Sequence, residues 1–329
     1  MHKILFLGKN FKLAVLLLSS LLVISCDSHN DIPLLNMDIE DRLTNSELEE
    51  IQNKQLQAHI PNTYYFGFDL RASPQEDAAQ YVPFLKYLED ATGYHFKLHF
   101  TAKGHSLADE LGQNRVQFAS MGAISFLQAQ TRYGAQSLAR GINAKGKAAY
   151  QSVFIVRPKS PIRSIKDFKN RKLAFGSRDS TQGHLIPRIM LKENGISLSD
   201  LAKYTFTGSH QNCAEAVISH RFDICGLQDQ MADDLASQGL VKVIQRSKYY
   251  PSSGIVANSL VPVGVRNKVK QALLDFDPLG KDSKSLYHWN QTEMSGGFAE
   301  SRAVDYDTLR QWAVKFGFLQ KNNVKVQLQ

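Results

Sequence analysis

The chain has 329 residues, of which 43% are hydrophobic and 21% charged, and its formal net charge is +8 at pH 7. This length and hydrophobic content exclude an intrinsically disordered chain and suffice for two α/β lobes or one large domain. The excess of lysine and arginine favours an anionic partner: a nucleic acid, an anionic surface or a small anion.

Residues 1–25 are expected to be an export signal. A basic start with Lys3, Lys9 and Lys12 precedes the apolar run LAVLLLSSLLVIS, which is short for a membrane span. The run ends in Val-Ile-Ser before Cys26, and this resembles the lipobox of bacterial lipoproteins, in which the signal is cleaved and the cysteine is diacylated. An uncleaved anchor helix with an incidental cysteine is the alternative. We expect lipidation at Cys26, with Asp27 indicating retention at the periplasmic side of the inner membrane.

A flexible acidic tether is predicted for residues 26–59, after the lipidated cysteine. Residues 27–58 hold eight acids and two basic residues, a local charge of −6. Removal of the three signal lysines lowers the charge of the mature chain to +5, so the remainder carries +11. Export and the lack of consecutive basic residues argue against nucleic acid, so a small anion is the expected partner.

After the tether, short apolar runs alternate with helical patterns. Strands are predicted for TYYFGFDL, FKLHF, VQFASMG, YQSVFIVRP, KLAFG, KYTFT, FDICGL, VKVIQ and PSSGIVAN, with helices between them and two more at the C-terminus. This alternation predicts α/β sheets with right-handed crossovers. We expect residues 60–156 to form the first part of lobe 1, residues 157–249 lobe 2, and residues 250–329 the return to lobe 1 and the C-terminal helices. A ligand would bind in the cleft between the lobes.

The stretch FGSRDSTQGHLIPR places a polar turn between a strand and a helix that is expected to begin near Gln182. The first turn of a helix has free N–H groups, so such a turn can bind an anion, and Gly183 leaves room for close approach. The alternative is that Ser180 or Thr181 only caps the helix.

Two cysteines remain beside Cys26. Cys213 lies in a predicted helix and Cys225 in a predicted strand, and both positions are apolar-facing. Two buried reduced thiols are the expectation, and a disulfide is the open alternative. Neither cysteine has the spacing of a metal or redox site, and no metal or cofactor is expected.

From residue 65 to about residue 276 the chain resembles the phosphate/phosphite/phosphonate substrate-binding proteins of ABC importers. The resemblance is carried by SPQEDAAQYVPFLKYLEDATGY, by GSHQNCAEAVISHRFDIC and, most specifically, by YQSVFIVRPKSPIRSIKDFKNRKLAFGSRDSTQGHLIPR. It implies a two-lobed periplasmic-binding-protein fold, type II-like, with hinge strands and an interlobe cleft. It also places Ser180, Thr181 and Gln182 on the three ligand-contacting positions of the family's turn, and His210 on a histidine that meets the oxyanion.

The departures from the family pattern bear on the ligand. Gln182 stands where a serine is usual, Met121 and Gly104 replace tyrosines of the aminoethylphosphonate-binding member, and Ser253 replaces an acid that would meet an ammonium group. Asp229 or Gln230 could cover the remaining acidic position. These losses favour a smaller oxyanion such as phosphite, phosphate or methylphosphonate.

Three further residues are candidates for the cleft. Arg71 follows the first strand, at an edge where α/β sheets bind ligands, and could either pair with the anion or brace a loop. Tyr150 and Ser152 lie on the predicted crossing strand, where their hydroxyls could face the ligand or serve packing and the hinge.

Catalysis is not expected, because the chain has neither a GxSxG nucleophile elbow nor an HExxH cluster. A carrier that delivers its anion to an ABC permease is the favoured function. A lipoprotein that reports ligand occupancy to a membrane-bound sensor kinase or cyclase is the alternative, because both roles use the same lobe closure. The sequence leaves this choice and the oligomeric state open.

Overall fold

A computed structural model describes residues 62–71, 73–102 and 104–320. The export signal, Cys26 and the tether therefore lie outside the described residues. The elements follow the chain in this order: β1 (Thr63–Phe68), α1 (Pro74–Thr92), β2 (His95–Leu98), α2 (Leu107–Gly112), β3 (Phe118–Met121), α3 (Ala123–Tyr133), β4 (Gln136–Gly141), β5 (Ala149–Tyr150), β6 (Ser152–Val156), β7 (Lys172–Phe175), a π-helical turn (Thr181–Leu185), α4 (Ile186–Glu193), β8 (Lys203–Phe206), α5 (His210–Ile218), β9 (Ile224–Gln228), α6 (Asp229–Ser237), β10 (Lys242–Arg246), β11 (Tyr250–Pro251), β12 (Gly254–Ala257), α7 (Val263–Leu274), β13 (Phe298–Glu300) and α8 (Asp307–Lys315).

Helix α1 shows how local sequence fixes an element. Ser73 caps it by accepting the N–H of Glu76, Pro74 occupies the first turn, and Gly93 ends it with a φ of 72°. Its buried side chains recur at helical spacing and pack on the first sheet, where Phe84 stacks on Trp289. The helix predicted between the first two strands is confirmed.

Two sheets form the two lobes. The first has the strand order β13-β4-β12-β3-β1-β2, with β1 parallel to both β2 and β3. The second has the order β10-β6-β9-β7-β8, with β7 parallel to both β8 and β9. The predicted two-lobed α/β fold is confirmed. In both sheets the carboxyl ends of parallel strands provide the loops from which a ligand site can be built.

The chain passes between the sheets through a small two-stranded ribbon, in which β5 pairs antiparallel with β11. Strand β6 already pairs with β9 and β10, so residues 152–156 belong to the second sheet, whereas the sequence expectation placed them in lobe 1. The predicted strand YQSVFIVRP is thus two strands that serve different sheets.

Strands β4 and β13 were not predicted from the sequence. Their segments, QSLARG and FAE, are short and half polar, so neither shows a clear period-two pattern. They become strands because β4 pairs with β12 on one side and with β13 on the other, which satisfies their backbone groups.

The expectation of two reduced thiols is wrong, because Cys213 and Cys225 form a disulfide with a Cα–Cα distance of 5.7 Å. Helix α5 packs directly against β9, and this brings two fully buried sulfurs within bonding distance. The helix that begins with His210 is thereby joined covalently to the second sheet.

Candidate functional site

A small cavity of about 30 Å³ lies where loops of both lobes meet. Its walls come from the segments after β1, β3, β7 and β8, from the ribbon, and from the loop before β13. The lining residues are Asp69, Leu70, Arg71, Gly122, Tyr150, Ser177, Ser180, Thr181, Gln182, His210, Ser253 and Glu293. Most of its lining residues are polar, as expected for a site that holds a small ligand by hydrogen bonds.

The π-helical turn after β7 positions the serine and threonine. The Oγ of Ser180 accepts the N–H of Gly183 at 2.8 Å, so this serine does cap the helix while it also lines the cavity. Thr181 instead reaches the other lobe, where its Oγ1 accepts the N–H of Ile124, in the first turn of α3, at 2.9 Å. Ser180 thus caps the helix, and Thr181 faces the cleft.

Gly183 is required by close packing within this turn. A Cβ at this position would lie 2.8 Å from the Oγ of Ser180 and 3.0 Å from Cε1 of His210. Both contacts are shorter than or at the limit of normal Cβ contacts, so a side chain here would displace two lining residues.

Gln182 anchors a hydrogen-bonded layer behind the cavity. Its Nε2 donates to the backbone carbonyl oxygen of Gln151 at 2.9 Å and to Oδ1 of Asp229 at 3.4 Å. The backbone carbonyl oxygen of Gln182 accepts a hydrogen bond from the hydroxyl of Ser152 at 2.6 Å. Burial raises the pKa of Asp229. Ser152 and Asp229 thus support the turn from behind and are not among the residues that line the cavity.

His210 enters the cavity as the first residue of α5. Burial lowers its pKa to about 4, with Glu293 opposing and Arg71 adding to the shift, so the imidazole is neutral at pH 7. Its Nδ1 is buried without a hydrogen-bond partner. A neutral imidazole can present either a donor or an acceptor to a ligand.

Arg71 is tied to acids of its own lobe. Its Nε donates to Oε1 of Glu293 at 3.0 Å, and one terminal N–H donates to the carbonyl of Asp69 at 2.8 Å. Burial is the largest influence and disfavours the charge, but Glu293 together with Tyr81, Asp69 and Asp77 outweighs it, so the pKa of Arg71 is raised. These are the contacts of a bracing arginine, and Glu293 already neutralises its charge.

Asp69 and Glu293 were missed at the sequence level. Asp69 lies between Gly122 and Ser125 at the start of α3: its Oδ2 accepts the N–H of Gly122 at 2.8 Å and its Oδ1 the hydroxyl of Ser125 at 3.2 Å. Burial raises its pKa. Asp69 directly follows β1, and the strand-end argument that selected Arg71 could have selected it too. Glu293 lies in a loop with no motif, and no local signal pointed to it.

Tyr150 and Ser253 complete the walls. Tyr150 is 2% exposed, and burial raises its pKa. Its hydroxyl lies near the hydroxyl of Thr181 and the backbone of Ala123, yet makes no hydrogen bond of normal geometry. Ser253 stands between β11 and β12, next to Gly122.

Seven predicted residues thus line one cavity: Arg71, Tyr150, Ser180, Thr181, Gln182, His210 and Ser253. Met121 is 1% exposed and packs in the hydrophobic core. Gly104 lies in an adjoining depression of about 280 Å³, which shares Asp69, Leu70 and Ser177 with the cavity.

The described part of the chain has no group of three or more histidine, cysteine or acidic residues that could hold a metal ion. None of the helices described is both long and apolar enough to cross a membrane.

The fold and cavity define a class. Two α/β lobes linked by a ribbon, with a buried polar cavity between them, form the architecture of periplasmic binding proteins. Residues 66–306 match the family described as ABC transporter, phosphonate, periplasmic substrate-binding protein, and this chain belongs to that family. The resemblance recognised in the sequence is confirmed.

Individual relatives support the same assignment. The phosphonates-binding periplasmic protein of Escherichia coli (strain K12) is 28% identical over 221 residues, which are 64% of this chain and 65% of the relative, just under two thirds of its length. The solved structure of PhnD1 from Prochlorococcus marinus in complex with methylphosphonate has a TM-score of 0.71 at 19% identity, covering 79% of this chain and 100% of that one.

The same fold also occurs in proteins that bind another class of oxyanion. The alkanesulfonate-binding protein SsuA from Xanthomonas axonopodis pv. citri, bound to MOPS, has a TM-score of 0.56 at 16% identity, covering 78% of this chain and 93% of that one. Such identities show the fold alone, so the ligand has to be argued from the cavity.

Proposed function

We propose that this chain captures a small phosphorus oxyanion, namely phosphite, phosphate or a phosphonate, by lobe closure and delivers it to an ABC importer. The ligand would contact Ser180, Thr181, Gln182 and His210 from lobe 2, and Tyr150 and Ser253 beside the ribbon. The family is one of substrate-binding transport proteins, and we infer a binding role without catalysis.

One observation carries the proposal. Three buried polar atoms in the cavity wall make no hydrogen bond of normal geometry to the residues that the structure describes: the hydroxyl of Tyr150, Nδ1 of His210 and Oε2 of Glu293. Unpaired buried polar atoms are costly, so a cavity where three converge is built for a polar guest. The hydroxyls of Ser180, Thr181 and Ser253 add donors that can turn toward an oxyanion.

Contacts between the lobes support closure around the guest. The Thr181–Ile124 hydrogen bond crosses the cleft, as does one from Gln128 to Asp179 at 3.1 Å. A ligand that bonds to both lobes stabilises the closed arrangement in proportion to its preference for it.

The test is calorimetry on the full-length chain in detergent with phosphate, phosphite, methylphosphonate, aminoethylphosphonate and sulfate. We expect at least one phosphorus oxyanion to bind in the micromolar range or tighter and to compete with the others for one site. Absence of binding by all four phosphorus compounds would refute the proposed function.

We also propose that the chain is anchored through a diacylated Cys26 at the periplasmic side of the inner membrane. Radiolabelled palmitate should be incorporated into the wild-type chain and not into Cys26→Ala. Equal labelling of both would refute the anchor without touching the ligand proposal.

A further inference from the structure

One carboxylate oxygen of the cavity wall lacks a partner. Oε1 of Glu293 accepts the Nε–H of Arg71 at 3.0 Å, whereas Oε2 is buried and accepts no hydrogen bond from the described residues. The residue is only 7% exposed. A carboxylate oxygen can only accept hydrogen bonds, and burying one unpaired is costly. We therefore expect a ligand in the cavity to donate a hydrogen bond to this oxygen.

A second acid lines the same cavity. Asp69 lies on the lobe 1 side with its oxygens bonded to Gly122 and Ser125, and Glu293 lies beside Arg71. A fully ionised oxyanion placed between these acids would meet two acceptors and like charge, whereas an oxyanion with a hydroxyl group can donate to one of them.

We propose that Glu293 selects ligands whose oxyanion carries a hydroxyl group. The P–OH of hydrogenphosphate, hydrogenphosphite or a phosphonate monoanion donates to Oε2 of Glu293, and sulfate and sulfonates, which have no such hydrogen near neutral pH, are rejected. This inference rests on the proposed function and narrows its substrate class. The fold does not make the distinction, since it occurs in structures with methylphosphonate and in alkanesulfonate-binding proteins.

A pair of similar ligands tests the role of the hydrogen. The methylphosphonate monoanion and methanesulfonate have similar shape and equal charge, and they differ in the central atom and in the hydroxyl hydrogen that only the phosphonate carries. A site built to bond a ligand hydroxyl rejects the analogue without it by large factors, because its own polar group is then left unpaired. At a pH below the second pKa of the phosphonate, we expect full-length wild-type protein to bind methylphosphonate at least about 100-fold more tightly than methanesulfonate.

Glu293→Gln should weaken the preference for methylphosphonate. The glutamine oxygen will stay against the Nε–H of Arg71, because its amide group would repel that donor, so the NH₂ group takes the place of Oε2. The cavity then presents a donor where it had an acceptor, and the ratio of the two affinities should fall at least about tenfold. Because the ligands carry equal charge, the ratio is insensitive to the freed charge of Arg71.

Glu300→Gln is the matched control. Glu300 is on β13, its side chain is 69% exposed, and it pairs with Lys270 on α7. This substitution should leave both affinities within about twofold of wild type, because an exposed ion pair contributes little. A thermal melt of each variant reports whether it folds.

The pH dependence of the wild-type protein tests the same inference without a variant. Above the second pKa of the phosphonate, its apparent affinity should fall about tenfold per pH unit, while that of methanesulfonate stays flat. The other titratable or charged side chains that line the cavity or interact with Glu293 are Asp69, Arg71, Tyr81, Tyr150, His210 and Asp229. A halogenated methylphosphonate, whose second pKa is lower, should lose affinity at correspondingly lower pH, whereas a titrating protein group would give both phosphonates the same midpoint.

The outcomes separate the two proposals. If wild-type protein binds phosphorus oxyanions but takes methanesulfonate within about tenfold of methylphosphonate, or if Glu293→Gln folds and keeps the wild-type ratio, the role of Glu293 is refuted and the proposed function stands. Tightest binding of aminoethylphosphonate that is lost selectively in Glu293→Gln would also overturn it, by assigning Oε2 to an ammonium group. If no phosphorus oxyanion binds, both proposals fail.

Discussion

The hydroxyl of Thr181 is the most direct test of the proposed site. Its residue is 3% exposed, its Oγ1 accepts the N–H of Ile124 from the opposite lobe at 2.9 Å, and its hydroxyl lies near that of Tyr150. Under the proposed function, its hydroxyl hydrogen turns toward the bound anion. Thr181→Val keeps the branched shape and removes the hydroxyl. It removes one charge-assisted hydrogen bond to the anion, which contributes roughly 1.5–3 kcal/mol, or about 10- to 150-fold in affinity.

A second effect acts in the same direction. Without the hydroxyl, the buried amide of Ile124 loses its acceptor, and this disfavours the arrangement in which the two lobes meet. Since the two effects share one group they are not additive, and the single bond sets the lower bound. We therefore predict an affinity loss of at least about tenfold.

The assay is calorimetry with the tightest phosphorus oxyanion, and Thr181→Ser is the control. Serine retains the hydroxyl and should bind within about threefold of wild type. The reasoning is refuted if Thr181→Val binds as tightly as Thr181→Ser while both variants melt as wild type.

Three further predictions concern the cavity, the disulfide and pH. Gly122→Ala would place a Cβ 3.2 Å from the Oγ1 of Thr181, inside the cavity. With a φ of −66° the backbone accepts alanine, so ligand affinity should fall at least about tenfold while Tm moves by no more than about 2 °C; an unchanged affinity would show that no ligand approaches this glycine. Replacing Cys213 and Cys225 together by alanine removes a cross-link between residues that are 12 positions apart. The free energy of unfolding should fall by about 3 kcal/mol in a denaturant titration. Equal stability of the variant and the oxidised wild type would contradict this. Burial lowers the pKa of His184 from 6.5 to about 4, so as pH falls this histidine is protonated in the unfolded chain before it is protonated in the folded chain. The free energy of unfolding therefore decreases as pH falls from about 6.5 toward 4. The free energy of unfolding of His184→Phe should therefore decrease by about 2.5 kcal/mol less than that of the wild type between about pH 7 and pH 4.5. If both proteins lose the same stability over this range, the assignment to His184 is refuted.

His184 packs in the core and not in the cavity. It lies in an aromatic cluster with Phe175, Phe206 and Phe318, and its Nδ1 bonds to the carbonyl of Arg178 at 2.7 Å. It is two residues beyond Gln182, and two helical steps turn its side chain away from the side that Gln182 faces.

The sequence by itself determined the features that depend on short-range spacing. The strand, the polar turn from Ser180 to Gln182 and the following helix are contiguous, so their order already predicts a group of hydroxyls and amides at a strand end. His210, by contrast, was placed at the site only by the resemblance to the family. Similarity to the family then covered most of the two lobes.

Only the tertiary structure decided which distant residues share the cavity. Arg71 and Glu293 are 222 positions apart. They meet because Arg71 follows β1 and Glu293 precedes β13, and both strands belong to the same six-stranded sheet. The disulfide likewise depends on how one helix packs on one strand, which no spacing in the sequence encodes. A hydrogen bond or sulfur bridge is fixed by distances of a few ångströms, and over long separations those distances are set by sheet order and packing, which the sequence pattern leaves undetermined.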